Sequence, residues 1–280
     1  MLRIHRKLFR SLVGLLAAWF SSGTAVHADT FSFSVVPQFP VVEVFRSWRP
    51  LLEALEVETG HKFELKTSES IPKFEASFLA AEPDFVYLNP YHTVMAHRSG
   101  GYIPLVRSSE PLSGILVVRK DSSLRELAEL KGSTIAYPAP NAFGASLYMR
   151  ALLGERFKLA TEPVYVQTHV NAYRAVIRGD NPAAGGIRST LDREPAEVRD
   201  KLRVLYETPS TASHPVAVHP RVNASVRTTV RNALLKIAKT EAGSKLMEGV
   251  SLDALVAADY AKDYAPLEAL RLDRFVVQPK

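Results

Sequence analysis

The 280-residue sequence contains no cysteine. This absence excludes disulfide bonds, thiolate nucleophiles and metal sites that use cysteine ligands. It also excludes a lipid anchor on an N-terminal cysteine, so we do not expect a lipoprotein. A chain of this size without covalent cross-links depends on its hydrophobic core, and about 250 residues suffice for one large domain or two smaller ones.

Long apolar runs are also missing, since no segment reaches the roughly 20 residues of a transmembrane helix. The apolar stretch at residues 12–20 is too short, follows four cations and precedes the small residues of 26–28. This pattern predicts a secretory signal peptide over residues 1–28, cleaved near Ala28-Asp29. We expect an exported protein whose mature chain is not inserted in the membrane.

The mature chain also lacks a large excess of one charge. Loss of Arg3, Arg6, Lys7 and Arg10 with the signal peptide lowers the formal charge from +6 to +2. No basic stripe with interleaved aromatic residues stands out, so we expect no nucleic-acid binding. The histidines lack metal-ligand spacing, and no Gly-x-Ser-x-Gly turn is present. We therefore expect no metal, no cofactor and no catalytic residues.

Strand-like and helix-like patterns alternate along the mature chain, which predicts an α/β fold with mainly parallel sheets. A helical pattern from Val41 ends at Gly60, and Pro50 is expected to kink it. Ser123 and Glu126 have the spacing of a capping box for a further helix. Another helical patch is expected around residues 191–202.

One turn indicates an anion site. A strand at residues 133–137 leads through Pro138 and Pro140 to Asn141, an expected N-cap, and a helix with Gly144 in its first turn. The first N–H groups of a helix have no internal partner, and small residues let an anion approach them. The alternative is an ordinary capped helix without a ligand.

Four landmarks, taken in order, resemble the PhnD-type solute-binding proteins for phosphate, phosphite and phosphonate. They are Trp-Arg-Pro-Leu-Leu-Glu at 48–53 with Thr-Gly at 59–60, Asp-Phe-Val-Tyr-Leu-Asn-Pro-Tyr at 84–91, the Leu-Lys-Gly and Ile-Ala-Tyr-Pro of 127–138, and Thr-His-Val with Ala-Val-Ile-Arg-Gly within 168–179. The order and spacing of these landmarks match those of the family over nearly the whole mature chain.

The resemblance implies a type II periplasmic binding protein with two α/β lobes joined by two crossover strands. Lobe 1 would comprise residues 29–112 and 215–280, and lobe 2 residues 113–214. The expected crossovers lie near residues 112–119 and 214–218. Ligand contacts in such folds come from the carboxyl ends of strands, in the cleft between the lobes.

The function implied is solute binding for an ABC importer. The expected ligand is a small oxyanion, the expected partner is an inner-membrane permease, and we expect a periplasmic monomer. An alternative keeps the fold but makes the protein a ligand-sensing partner of a membrane receptor such as a histidine kinase. A periplasmic enzyme on this fold is a third possibility, for which no nucleophile and base are visible.

The resemblance also implies oxyanion contacts in lobe 2. Phosphonate-binding relatives carry Ser-Thr-Ser-Gly at the helix start, where this chain has Asn141, Ala142, Phe143 and Gly144. The N–H groups remain, the hydroxyls are lost, and Asn141 is expected to supply one amide donor. His169 matches the family histidine that faces the phosphonyl group; the alternative is a surface histidine.

Relatives that bind aminoalkylphosphonates hold the amine with two carboxylates. The corresponding stretches here, 185–189 and 212–215, contain Arg188, Ser189 and His214 instead. We expect a cationic amine to be repelled and a second anionic group to be gripped by Arg188. The alternative for Arg188 is a solvated position at a helix start.

Lobe 1 is expected to contribute side chains that follow its first and third strands. The candidates are Phe39, Tyr87, Asn89 and Tyr91. Tyr91 is the preferred ligand contact. Tyr87 has an alternative in the core because strand alternation can turn it inward.

Overall fold

The computed structural model describes residues 28–277, so the predicted signal peptide lies almost wholly outside the described residues. Eleven strands are found in this part of the chain: β1 (Thr30–Val35), β2 (Lys62–Lys66), β3 (Phe85–Tyr87), β4 (Ile103–Ser108), β5 (Gly114–Arg119), β6 (Thr134–Tyr137), β7 (Glu162–Tyr165), β8 (Ala183–Ile187), β9 (Leu202–Glu207), β10 (Pro215–Val218) and β11 (Leu255–Ala257).

The α-helices within residues 28–277 are α1 (Val41–Thr59), α2 (Ile71–Leu79), α3 (Pro90–Gly100), α4 (Tyr148–Ala151), α5 (His169–Arg178), α6 (Arg188–Asp192), α7 (Ala196–Arg199), α8 (Ala224–Ile237), α9 (Glu241–Gly249) and α10 (Tyr260–Asp263). None of the helices in these residues is both long and apolar enough to cross a membrane.

The strands form two mixed sheets, as the expected two-lobed architecture requires. The first has the order β11-β4-β10-β3-β1-β2 and the second the order β7-β6-β8-β5-β9. In the first sheet β1 is parallel to β2 and β3, whereas β10 is antiparallel to β3 and β4. In the second, β5 is antiparallel to both neighbours.

The expectation of mainly parallel sheets is therefore wrong. Strands β5 and β10 each enter their sheet from the other one, and each runs against its neighbours there. The two connecting segments lie side by side, since Leu112 and Thr211 form an antiparallel bridge and the Thr208 N–H donates to the Gly114 carbonyl at 2.8 Å. The lobe boundaries at residues 112 and 214 remain predictions.

Apolar side chains form the core of the first sheet with α1, α8 and α9. Trp48 of α1 packs on Phe33 and Tyr87, with ring centroids 5.3 and 4.8 Å apart. Helix α1 continues through Pro50 and ends at Gly60, as the sequence predicts for its end. Two further apolar clusters cover the two faces of the second sheet.

A fourth apolar cluster joins the sheets. It contains Tyr91 and Val94 of α3, Phe143 and Leu147 from the second-sheet side, and Leu272 near the end of the chain. The last described residues, Ala265–Leu270 and Leu272–Phe275, form two 3₁₀ turns there. No hydrophobic periodicity in the sequence predicts the position of this final segment.

Three local expectations need correction. Instead of a helix capped by Ser123, a 3₁₀ turn at Leu127–Leu130 has its capping box at Glu126 and Glu129. The helical patch around 191–202 is split into α6 and α7, because Pro195 takes the N-cap position of α7. The helix after Asn141 begins with π-helical turns at Phe143–Leu147, passes through α4, and returns to π at Leu152–Arg156.

Glycines let this composite helix lie directly on the second sheet. A Cβ on Gly114 of β5 would lie 2.1 Å from the Gly144 carbonyl oxygen, and one on Gly185 of β8 would lie 1.9 Å from that of Ala145. Both distances are far inside van der Waals contact. Glycine at these positions therefore fixes how close the helix start comes to the strands.

We expect Gly185→Ala to lower the free energy of unfolding by about 3 kcal/mol, at the upper end of overpacking effects. The obstructing atom is a backbone oxygen that cannot rotate away. Gly249→Ala is the matched control, since its Cβ would have no neighbour within 4 Å. Urea unfolding monitored by circular dichroism measures both. Equal stability of the two variants would contradict the close approach.

Candidate functional site

A small cavity lies between the loops of the first sheet and the composite helix of the second. Its volume is about 20 Å³, roughly what one ordered water requires. It combines residues from both sheets and from the connecting segment before β10. The lining residues are Val36, Gln38, Ile71, Asn89, Ala142, Phe143, Gly144, Ala145, His169, Ile187 and His214.

Unpaired backbone donors lie at one wall of this cavity. The N–H groups of Ser146 and Leu147 both donate to the Ala142 carbonyl, at 2.8 and 3.1 Å. Among residues 28–277, the preceding N–H groups of Phe143, Gly144 and Ala145 have no acceptor. Because the Ser146 N–H makes the α-type bond to Ala142, three N–H groups after the N-cap are left without a partner, as at the start of an α-helix. The wall is therefore a cluster of buried hydrogen-bond donors.

His169 lies at the first position of α5 and is 5% exposed. Its Nδ1 is 3.4 Å from the Thr190 hydroxyl, which itself donates to the Ile187 carbonyl at 2.9 Å. Thr190 thereby orients the ring through Nδ1 and leaves Nε2 as the ring nitrogen open to a ligand. Within the described part of the chain, Nε2 has no hydrogen-bond partner.

His214 lies opposite, immediately before β10. The Gln38 amide donates to its Nε2 at 3.2 Å, and its ring stacks on Tyr87 with centroids 5.4 Å apart. Burial lowers the pKa of His169 to about 4. Burial, with the imidazoles of His92 and His169 nearby, lowers the pKa of His214 to about 3. Both rings are neutral at pH 7, and no Asp, Glu, Lys or Arg is among the described lining residues.

Asn141 does not have the predicted role. Ala142 occupies the N-cap position, and the Asn141 amide donates to Glu75 Oε2 at 3.0 Å and to the Val277 carbonyl at 2.7 Å. Its Oδ1 accepts from the Val277 N–H at 3.0 Å. With these bonds, the side chain has no donor left to offer a ligand. The amide that we expected to contact a ligand instead links three segments that are distant in sequence.

Asn89 does line the cavity, but its polar atoms have partners. Its Oδ1 caps α3 by accepting from the His92 N–H at 2.7 Å, and its Nδ2 donates to the Asn141 carbonyl at 3.2 Å. His92 in turn lies 2.8 Å from Glu75 in a fully buried pair. Asn89 therefore positions the turn beside the unpaired N–H groups.

The structure does not bring Tyr91 to the cavity. It is 3% exposed within the apolar cluster that joins the sheets, and burial together with the Asp273 carboxylate raises its pKa. Phe143 does line the cavity, while its ring stacks on Tyr148 at 5.6 Å. Tyr87 belongs to the core, as its alternative predicts, and its ring stacks on His214 beside the cavity.

Arg188 and Ser189 lie outside the cavity, in a neighbouring depression of about 230 Å³. Arg188 Nη2 is 2.5 Å from Glu207, and both side chains are nearly half exposed. Glu110, Asp192 and Asp253 line the same depression. This location agrees with the solvated alternative, because the guanidinium already has a carboxylate partner and faces acidic neighbours.

Gly144 has a second constraint besides the cavity. A Cβ on this residue would lie 3.0 Å from Leu112 and 3.1 Å from Ile187, so the missing side chain also serves packing. Phe39 borders the outer side of the cavity region, where the Arg193 guanidinium lies 5.6 Å from its ring centroid. Phe39 is not among the residues that line the cavity beside the unpaired N–H groups.

Sequence reasoning missed Gln38, Ile71 and Ile187. Gln38 follows the first strand within a proline-bounded turn, so its position at the carboxyl end of β1 was a usable signal. Ile71 and Ile187 are apolar, and nothing in the sequence distinguishes them from core residues.

A separate 510 Å³ depression is lined by charged residues such as Arg119 and Asp200 at the opposite end of the second sheet. It contains no candidate site residue.

Solved structures share this fold. A binding-protein component of an ABC phosphonate transporter from Pseudomonas aeruginosa has a TM-score of 0.76 at 14% identity, over 89% of this chain and 88% of that one. PhnD1 from Prochlorococcus marinus, solved with methylphosphonate, gives 0.78 at 12%, over 88% and 99%. A Xanthomonas citri protein bound to chloride gives 0.76 at 14%, over 88% and 99%.

At these identities the likeness shows the fold, a type II binding-protein architecture of two α/β lobes. The sequence itself gives the family. The model of the family described as "ABC transporter, phosphonate, periplasmic substrate-binding protein" matches residues 33–264, well over half of the chain. The chain belongs to this family of periplasmic substrate-binding proteins of phosphonate ABC transporters.

Proposed function

We propose that the protein is the solute-binding component of an ABC importer and binds a small oxyanion of the phosphate, phosphite or phosphonate type between its lobes. The observation that carries this proposal is the row of unpaired N–H groups at Phe143, Gly144 and Ala145 beside two buried histidines. The exported chain would act as a periplasmic monomer and deliver the ligand to an inner-membrane permease.

The backbone supplies the main attraction for an anion. Buried N–H groups without acceptors are costly, and an oxyanion with several acceptor oxygens relieves that cost. The positive end of the helix adds a favourable field. Because no cationic side chain is among the described lining residues, this site favours a compact anion that dipoles can neutralise.

The histidines supply a proton-dependent contact. In this proposal neutral His169 presents an acceptor at Nε2, so an oxyanion can bind there only if a proton sits between ring and ligand. Either the ring becomes protonated or the ligand arrives with a P–OH group. The second route favours phosphorus oxyanions over sulfonates, which carry no proton near neutral pH.

Access to the site requires movement. A cavity of about 20 Å³ cannot admit a tetrahedral oxyanion, so the lobes must separate for the ligand to bind and close around it afterwards. The family binds substrate for transport, and we propose no chemical step. Neither the site nor the family favours the sensory alternative.

We expect His169→Ala to weaken methylphosphonate binding about tenfold or more, because a hydrogen bond to a charged ligand is lost. Isothermal titration calorimetry measures the affinity, with phosphate and phosphite as further ligands. His219→Ala is the control, since His219 follows the far end of β10 and is not among the residues that line the cavity. Failure of all three anions to bind the native protein would disprove the proposal.

Binding of methylphosphonate is expected to tighten as pH falls from about 7 to 5 and to take up a proton. The anion raises the depressed pKa of His169, so the complex holds a proton that the free protein lacks. Titrations near pH 6 in two buffers of different ionisation enthalpy measure this uptake. Buffer-independent heats together with a flat pH profile would rule out the histidine contact.

Without ligand, the same histidines should make the fold less stable in acid. Between the unfolded pKa of about 6.5 and the folded values of about 4 and 3, only the unfolded chain binds these protons. The free energy of unfolding should then fall with pH by about 1.4 kcal/mol per unit for each ring. Urea unfolding of the native protein and of His169→Gln between pH 7 and 5 measures the slope, which should be shallower in the variant.

A further inference from the structure

An apolar groove of about 420 Å³ lies between the lobes, next to the small cavity. Four loops form it: those after β1 and β2 on one side, and those after β6 and β7 on the other. All four follow the carboxyl ends of strands, where α/β folds bind ligands. Its volume falls within the range typical of sites for small organic molecules.

The groove and the cavity share Ile71. This residue opens α2, where the Ser70 hydroxyl caps the helix, and its side chain is 6% exposed. A molecule held at the unpaired N–H groups of residues 143–145 therefore has an adjoining space on the other side of Ile71. The two spaces are neighbours in one interlobe cleft.

The chemistry of the groove differs from that of the cavity. Its walls are mostly apolar, with Phe39, Val41, Pro138 and Tyr165 among them. Of the described groove-lining residues only Glu69 is charged, and it forms an ion pair with Lys73. Nothing in this lining offers a cation to a second anionic group or an unpaired carboxylate to an amine.

Large apolar side chains are left partly open to solvent here. Val41 is 42% exposed and Tyr165 is 37% exposed. Tyr165 ends the edge strand β7, and its ring is held near Arg150, whose guanidinium lies 5.9 Å from the ring centroid. Exposed apolar surface that lines a concave site gains free energy when an apolar ligand group covers it.

We propose that the natural ligand carries an uncharged apolar substituent on its oxyanion head, a short alkyl chain or an aromatic ring, which lies in this groove. The proposal rests on the proposed function, since the head must be fixed at residues 143–145 before the substituent can reach past Ile71. It differs from the expectation of a second anionic group: the depression of Arg188 also adjoins the cavity, at Ile187 and His214, but Arg188 is paired there with Glu207.

A series of phosphonates tests the substituent. Methyl-, propyl- and phenylphosphonate share the head and differ in the apolar part, so affinity should rise about fourfold for each added methylene. Phosphonoacetate adds an anionic group and 2-aminoethylphosphonate a cationic one. Both should bind more weakly than propylphosphonate, because the groove solvates neither charge. Calorimetry with the full mature chain gives all five affinities.

Two neighbouring substitutions locate the effect. Tyr165→Ala should remove most of the preference for phenylphosphonate over methylphosphonate and leave methylphosphonate affinity unchanged. Val164→Ala is the matched control: it is 38% exposed on the same strand and does not line the groove. Equal thermal midpoints establish that both variants fold.

The outcomes separate the two proposals. If methylphosphonate binds but longer alkyl and aryl groups give no gain, or if either charged analogue binds more tightly than propylphosphonate, the groove proposal is overturned and the oxyanion site stands. It is likewise overturned if Val164→Ala changes the preference as much as Tyr165→Ala. If no phosphonate binds, the groove proposal is overturned, and if phosphate and phosphite also fail to bind, the proposed function fails with it.

Discussion

The side-chain amide of Asn141 joins parts of the chain that are far apart in sequence, and the site depends on it. It bonds to Glu75 of α2 and to Val277 at the end of the described chain, while the backbone carbonyl of Asn141 accepts from the Asn89 amide. Glu75 is fully buried against His92, so loss of a partner would leave a buried polar group unsatisfied. These bonds hold the turn from which the three unpaired N–H groups project.

The cavity combines two opposed kinds of polarity. The backbone contributes positive dipoles, whereas the histidines are held neutral by burial. In the function that we propose, dipoles rather than fixed cations attract the anion, so selectivity would rest on shape and proton content rather than on net charge. Family members with several hydroxyl groups at the start of this helix would offer more hydrogen-bond donors to the oxygens of a ligand. Here Ala142 and Phe143 make the surroundings drier and more dependent on the main chain.

Local sequence patterns predicted the strands, the end of α1 at Gly60 and the turn that opens toward the cavity, since each depends on neighbours in the chain. These patterns could not predict contacts that depend on residues distant in sequence. Asn141 carries the signal of an N-cap, but Glu75 and Val277 take its amide. Arg188 lies at a matched position, but Glu207 from β9 pairs with it. Tyr91 follows a strand as ligand residues do, but the final segment of the chain covers it. The antiparallel placement of β5 and β10 likewise follows from topology, which periodicity does not encode.

The final segment contacts both lobes and therefore affects how they can move relative to each other. Glu268 pairs with Arg98 of α3, whereas Arg274 pairs with Glu155 and the Phe275 carbonyl accepts from Arg150 on the other lobe. Two crossovers alone would define a hinge axis with one easy rotation. The contacts of the final segment form a third link between the lobes, away from that axis. They would have to stretch or break when the lobes rotate apart. In the lobe opening that the proposed function requires, the contacts of residues 268–275 therefore oppose separation of the lobes.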